Sequence, residues 1–239
     1  MKFFTIAVIS IFLLTSCPEE GFEIEVIGGD NPILGNANLG NTLVFANELV
    51  YLPDLSLKFT GNRGLVAAVN MPGEGYVNAG TGSVVGGVLN FAMNQLSAEH
   101  LLDSNDLFDV HFNEWIDADN DKAPVMEPAT VSANIVSFVA MYKQPEKIPL
   151  ETVNRVWFTS TATTLISEYV YYIYVDADCT ITAEEVENTA AHNKYSAFTL
   201  SLKSGWNTIN RKNTQTVSGS TTTTLEVKNP ILRWGFYKL

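Results

Sequence analysis

Residues 198–203 have the sequence FTLSLK, in which apolar and polar side chains alternate. The same period of two occurs in residues 22–26, FEIEV, and in residues 232–237, LRWGFY. Alternation of this kind puts apolar side chains on one face of a β-strand and polar ones on the other, as in antiparallel sheets with one buried face. The pattern therefore predicts strands that pack their apolar faces over a core.

Two longer runs are apolar on both faces and are predicted to be central strands. They are residues 165–175, LISEYVYYIYV, and residues 135–142, IVSFVAMY. Glycine, proline and asparagine turn signals recur between the strands at intervals of about 8 to 15 residues, which suggests a sandwich or a barrel. We therefore expect an all-β fold, an antiparallel β-sandwich that is jelly-roll-like or similar. Only residues 95–102 and 183–191 are predicted to be helical, and both stretches are short.

The segment 99–127 differs from the rest of the chain because it carries nine acids and one base. Its acids are Glu99, Asp103, Asp106, Asp109, Glu114, Asp117, Asp119, Asp121 and Glu127. Prolines near its C-terminal end suit a domain boundary, so the segment is either a long acidic loop or a linker between two β-rich halves. We favour one β-rich domain over residues 18–239 with a long acidic loop.

Composition excludes several classes of protein. The chain of 239 residues is 46% hydrophobic and 17% charged, which is too apolar for a disordered protein. Its net charge of −12 gives no electrostatic surface for nucleic acid, so no nucleic-acid partner is expected. Beyond the first residues, no stretch is apolar for the ~20 residues that a spanning helix needs.

The N-terminus has the features of an export signal. Lys2 precedes an apolar run over residues 3–14, which has the length of a signal-peptide core. The run ends in Leu14-Thr15-Ser16-Cys17. This motif resembles the lipobox of bacterial lipoproteins, and the resemblance implies that residues 1–17 are a signal peptide and that Cys17 is acylated. The alternative is an ordinary signal peptide with an incidental cysteine.

An acylated Cys17 implies a location and a membrane partner. Several acyl chains on one residue give stable anchoring, so the resemblance implies permanent attachment to a membrane of the bacterial cell envelope. The outer membrane is favoured, and whether the protein faces the periplasm or the cell surface stays open.

The C-terminal third also resembles known sequences. Residues 171–182, YYIYVDADCTIT, residues 200–207, LSLKSGWN, and the strand around Trp234 are similar to a pattern in uncharacterised β-rich envelope lipoproteins. That resemblance implies a secreted β-rich domain and no known activity. From the residues themselves, Gly205 is expected to make a turn, Trp206 to anchor the strand pair, and Asn207 to bond the turn backbone.

Motifs for catalysis are missing from the sequence. The chain has three histidines, His100, His111 and His192, and it contains neither a Gly-x-Ser-x-Gly nor a His-Glu-x-x-His motif. We interpret the histidines as lone surface residues and expect a non-enzymatic binding or structural role. The alternative is an extracytoplasmic hydrolase that uses carboxylates of the segment 99–127.

Aromatic residues suggest a binding surface. Tyr169, Tyr171, Tyr172 and Tyr174 lie close together in one predicted strand. They could form a platform that stacks against a glycan or against the side chains of a protein partner, or they could pack in the core. Cys179, the only other cysteine, lies between acids and is expected to be a buried, unreactive thiol.

One cofactor is considered, a calcium ion at Asp117, Asp119 and Asp121. Acids at alternate positions can converge on a cation when the chain curls, as in calcium loops. However, Lys122 stands where such a loop requires glycine, and Pro128 where it requires a glutamate. The alternative is a solvated acidic turn, and no other cofactor is expected.

Overall fold

The computed structural model describes residues 38–41, 43–52, 59–117, 122–142, 149–188, 191–230 and 232–237. The predicted signal peptide and Cys17 lie outside these ranges. No helix in the described ranges is long and apolar enough to span a bilayer.

Most described residues are in strands, as the alternation predicts. The first eight strands are β1 (Asn38–Gly40), β2 (Leu43–Leu52), β3 (Arg63–Met71), β4 (Gly75–Val85), β5 (Val88–Met93), β6 (Val125–Glu127), β7 (Ala133–Tyr142) and β8 (Pro149–Ser160). The others are β9 (Thr164–Val175), β10 (Cys179–Ala183), β11 (Val186–Asn188), β12 (Asn193–Tyr195), β13 (Phe198–Leu202), β14 (Gly205–Thr216), β15 (Thr221–Val227) and β16 (Arg233–Tyr237). Within the described ranges, one α-helix, α1 (Ser104–His111), and two 3-10 turns, Ala98–His100 and Asn113–Trp115, make up the helical content.

The strands form one large and one small sheet. In the large sheet the order is β11-β12-β15-β14-β9-β7-β3-β4-β5-β2-β16-β8, with β1 beside β14 and with β8 also paired to β7 and β9. The small sheet has the order β13-β10-β6. Two described pairings are parallel, β12 with β15 and β16 with β2, and the other pairings between strands are antiparallel.

The small sheet packs against the large one, which makes the fold a sandwich. Alternate residues of β13, among them Phe198 and Leu200, point inwards and meet Ile173 of β9 and Ile209 of β14 in one apolar core. The opposite face of β9 belongs to a second core, which Tyr172 and Tyr174 share with residues of β3, β4, β5 and β7. The predicted all-β sandwich is therefore confirmed. The C-terminal part of β9, the run predicted as a central strand, is buried on both faces because it lies between these two cores.

Strands from both sides of the acidic segment share the large sheet. β7 pairs with β3, and β16 pairs with β2. Part of the segment 99–127 is regular structure rather than irregular loop. It holds α1 and β6, and Leu107 and Phe108 of α1 are buried in the core beneath the small sheet. Asp103 starts the helix because its side chain accepts hydrogen bonds from the backbone N–H groups of Asn105 and Asp106.

The two predicted helices had different outcomes. Residues 95–102 contain the 3-10 turn Ala98–His100. The prediction of a helix over residues 183–191 is wrong within the described residues, because Ala183 ends β10 and Val186–Asn188 forms β11. Val186 is buried and pairs with Tyr195 of β12, so a tertiary strand partner outweighs the helical propensity of the local sequence.

The expected turn around Gly205 is confirmed. Gly205 has φ +98°, a backbone conformation that favours glycine, and the next residue, Trp206, is completely buried. The side-chain amide of Asn207 donates to the carbonyl oxygens of Lys203 and Gly205 at 2.7 and 3.0 Å. Its Oδ1 accepts from the backbone N–H of Lys203 at 3.1 Å. Asn207 therefore fixes the connection between β13 and β14.

Candidate functional site

The four tyrosines of β9 lie on two faces of the strand. Tyr172 and Tyr174 are buried in the core, where the Tyr172 ring stacks on Trp234 and the Tyr174 ring meets Trp206 edge to face. Tyr169 and Tyr171 are half-buried on the opposite face. Tyr172 and Tyr174 therefore pack in the core, which is the alternative that the sequence left open, because successive side chains of a strand alternate between its faces and the second core covers one of them. The four rings do not form one platform.

Tyr171 lies beside an ion pair between Arg211 of β14 and Glu114 of the acidic segment. Nη1 and Nη2 of Arg211 donate to the two carboxylate oxygens of Glu114 at 2.7 and 2.9 Å. The Arg211 and Glu114 side chains are only 20% and 31% exposed. Burial raises the pKa of the Tyr171 hydroxyl, with the Arg211 cation acting in the opposite direction. Both oxygens of Glu114 are thus committed to a charge-assisted, bidentate contact.

The aromatic residues next to Glu114 fix this ion pair in place. Trp115 is buried, and its indole N–H donates to the carbonyl oxygen of Ser196 at 2.9 Å. Its ring contacts the rings of Tyr195 and Phe198 with centroids 5.2 and 5.3 Å apart. This part of the acidic segment is therefore held against the sheet, and Glu114 links the segment to the sheet.

The three histidines have different environments. His192 is in an exposed turn, whereas Nδ1 of the half-buried His100 lies 3.0 Å from the hydroxyl of Ser97. His111 lies at the end of α1, and the prediction that it is a surface residue is wrong. Burial lowers its pKa to about 4, against the opposing effect of its hydrogen bond to Asn134. At neutral pH the imidazole is uncharged and belongs to the packing of the helix.

Asn134 of β7 connects His111 to the rest of the fold. This residue is fully buried, and its Oδ1 lies 3.1 Å from Nε2 of His111. Its Nδ2 donates to the carbonyl oxygens of His100 and Asn70 at 3.0 and 3.4 Å. One amide thus joins α1, the preceding 3-10 turn and β3 to β7. A lone asparagine in an apolar strand gave no sequence signal for this role.

Two carboxylates that the sequence analysis did not single out meet at one amide on the other face of β14. The Asn210 side chain donates from Nδ2 to Glu168 at 3.3 Å and to Glu226 at 3.2 Å. Lys228 lies 3.2 Å from the same Glu226 oxygen, and Lys212 lies 3.9 Å from Glu168. Each carboxylate also has an ammonium group beside it. The negative charges of this cluster, which spans β9, β14 and β15, are therefore balanced by the two lysines.

The predicted calcium ligands are only partly described. Asp119 and Asp121 lie outside the described residues. Asp117 and Lys122 exchange two backbone hydrogen bonds of 2.8 and 2.9 Å, so the backbone pairs at these two residues. Within the described ranges, His, Cys, Asp and Glu side chains form no group of three or more that could hold a metal ion. Calcium binding at residues 117–121 stays a prediction.

Cys179 is the buried thiol that the sequence predicts. It lies in the core under the small sheet, and burial together with the carboxylates of Asp176 and Asp178 raises its pKa to about 11. A thiol with this pKa is protonated at neutral pH and is a poor nucleophile.

A groove opens at one end of the small sheet. Its volume is about 650 Å³, within the range of small-molecule sites. Residues that line it include Lys122, Val125, Thr182, Glu184, Phe198 and Thr199. Thr182 lies on the middle strand, directly between Val125 of β6 and Thr199 of β13. The side chains of these three residues are exposed because they alternate with the buried Met126, Ile181 and Leu200.

An ion pair forms part of the lining of the groove. Nζ of Lys122 lies 3.3 Å from a carboxylate oxygen of Glu184 and donates to the carbonyl oxygen of Glu185 at 3.3 Å. No local sequence pattern indicates this groove, because its lining comes from three separate parts of the chain, residues 122–125, 182–184 and 197–199.

No family model matches the chain, and neither a curated protein nor a solved structure matches it. Function is therefore inferred from the chain's own residues and geometry.

Proposed function

We propose that this chain is a lipid-anchored protein of the bacterial cell envelope, attached through Cys17, with a non-enzymatic binding or structural role. The N-terminal sequence up to Leu14-Thr15-Ser16-Cys17 supports the anchor, since it resembles a signal peptide with a lipobox. Acylation at this cysteine would hold the sandwich at a membrane surface.

The non-enzymatic role rests on one observation, the bidentate contact between Glu114 and Arg211. A carboxylate that acts as a general acid or base must be able to exchange a proton with a substrate. Glu114 instead binds Arg211 through both oxygens, so both are already engaged within the fold. His111 and Cys179 support the same conclusion, because burial keeps the first uncharged and the second protonated at neutral pH.

The alternative is the hydrolase that uses carboxylates of the segment 99–127. Asp103 caps α1 with its side chain, and Glu114 is bound to Arg211, so two of these acids already have structural roles. The described geometry therefore supports binding better than hydrolysis.

Metabolic labelling tests the anchor. Cells that produce the full chain are grown with radiolabelled palmitate, alongside cells that produce Cys17→Ala and Cys179→Ala variants. We expect label in the wild-type chain and in Cys179→Ala, and none in Cys17→Ala. Equal labelling of wild type and Cys17→Ala would refute lipidation at this residue.

A further inference from the structure

We propose that the groove at the end of the small sheet binds a neutral saccharide. This inference rests on the proposed binding role and names a ligand for it. Its starting observation is that exposed, hydrogen-bonding side chains from β10 and β13 enter one groove of about 650 Å³.

The hydroxyl groups in the groove are available to a ligand. Thr182 and Thr199 are opposite each other on adjacent strands, and both are exposed. Among the described residues, neither hydroxyl has a hydrogen-bond partner. A threonine hydroxyl both donates and accepts, which matches the hydroxyl groups of a sugar, since these also do both.

The charges in the groove favour a ligand without net charge. Lys122 and Glu184 are oppositely charged and 3.3 Å apart, so the groove brings both signs together. A charged ligand would compete with one member of this pair for the other, whereas a sugar hydroxyl can accept from the ammonium group and donate to the carboxylate. The net charge of −12 on the whole chain further disfavours an anionic ligand.

The apolar part of the lining fits the C–H face of a sugar ring. The Val125 side chain is 51% exposed and stands beside Thr182. The alanines Ala123 and Ala197 also line the groove and leave room beside Val125, whereas the Phe198 ring packs in the core. Small-molecule sites commonly combine such apolar surface with a few fixed polar groups.

A peptide ligand fits the arrangement less well. Extended peptides usually bind at the edge of a sheet, where backbone N–H and C=O groups are unpaired. Here the polar groups are side chains on a sheet face, and Thr182 belongs to β10, which has β13 and β6 on its two sides. A ligand on this face meets the hydroxyl and methyl groups of side chains, whereas the edges of the small sheet lie on the outer sides of β6 and β13.

Ligand-observed NMR on the full chain tests the proposal. The protein is kept in a zwitterionic detergent without a sugar headgroup and is mixed with cellobiose, maltose, lactose or N,N′-diacetylchitobiose at millimolar concentration. Digalacturonic acid and trialanine serve as the charged and peptide probes. We expect saturation transfer to at least one neutral disaccharide and weaker transfer to both of these probes.

Variants locate the binding. Thr182→Val and Thr199→Val each remove one hydroxyl while keeping the shape of the side chain and its suitability for a strand. Loss of one hydrogen bond should weaken the affinity about 3- to 10-fold. Thr180→Val is the matched control, because Thr180 lies on the same strand and the same face as Thr182, opposite Ser201 and Glu127. This variant should bind as wild type does.

Three results would overturn the proposal. The first is no transfer to any of the four disaccharides. The second is disaccharide binding that Thr182→Val and Thr199→Val leave unchanged or that Thr180→Val weakens equally. The third is preferential binding of trialanine, which would refute the saccharide and leave the binding role intact. Palmitate labelling is independent of all three, so failure of the anchor and failure of the groove can be told apart.

Discussion

The half-buried His111, which is hydrogen-bonded to the buried Asn134, predicts a loss of stability on mild acidification. The imidazole has a folded-state pKa of about 4, against an ordinary value of 6.5 in the unfolded chain. Between these values the unfolded chain binds more protons than the folded one, so the free energy of unfolding falls as the pH falls. The contribution of the neutral imidazole is complete above pH 6.5 and is lost progressively towards pH 4.

The magnitude follows from the two pKa values. Lowering the pH from 7 to 5 should reduce the free energy of unfolding by about 2 kcal/mol through His111 alone. Carboxylates titrate in the lower part of this interval as well, so the wild-type chain must be compared with a variant that lacks only this titration. His111→Gln serves, because its amide can still hydrogen-bond Asn134 and carries no charge.

Urea unfolding of the full chain at pH 7 and pH 5 measures the effect. We expect the wild-type chain to lose about 2 kcal/mol more than His111→Gln between the two pH values. His192→Gln is the control, because it removes a histidine from an exposed turn, and it should lose as much stability as wild type. An identical pH dependence of wild type and His111→Gln would refute the assignment of His111 as a buried, neutral group.

Four further predictions concern stability and metal binding. Arg211→Met should lower the free energy of unfolding by about 2 kcal/mol, since it leaves the half-buried Glu114 charge without its partner. Lys203→Met breaks an exposed pair and should have a clearly smaller effect in the same urea titration. Asn207→Ala should cost about 2 kcal/mol and speed hydrogen exchange at the turn between β13 and β14, and unchanged exchange would contradict its role there. Gly82→Ala should cost about 3 kcal/mol, because its Cβ would overlap the carbonyl oxygen of Asn90 on β5, and an unchanged Tm would show that the strands can separate without penalty. Calcium binding at residues 117–121 predicts a Tm that rises with millimolar calcium and returns with chelator, whereas a constant Tm would identify a solvated acidic turn.

The strands could be predicted because their signal is local. A period of two in residues 198–203 reflects the two faces of β13, one on the core and one on solvent, and the structure places Phe198, Leu200 and Leu202 inwards. The helix α1 was not predicted because its local sequence has no helical repeat of apolar residues. Its eight residues carry two adjacent buried side chains, Leu107 and Phe108, which do not make a helical repeat, and its clearest signal was the capping residue Asp103.

The sites could not be predicted because they depend on which segments meet. Tyr172 and Tyr174 looked like half of an aromatic platform, and only the strands packed against that face of β9 show that they are core residues. Glu114 and Arg211 are 97 residues apart in the chain, and the groove residues come from β6, β10, β13 and their flanking segments. Contacts between residues that are far apart in the chain leave no mark in the local alternation of apolar and polar residues.

Some of the acidic side chains in this chain have a structural role. Asp176 and Asp178 are separated by one residue, the same spacing that suggested calcium ligands at Asp117 and Asp119. In the structure, Asp176 accepts from the backbone N–H of Ser132 at 3.0 Å, and Asp178 accepts from that of Ser204 at 2.9 Å. Each carboxylate thus satisfies a backbone donor of another segment near the end of β9, a task that Asp103 performs at the start of α1. Acids at alternate positions can therefore either accept hydrogen bonds from backbone N–H groups or bind a cation. Which role they take depends on which of these groups faces the carboxylates.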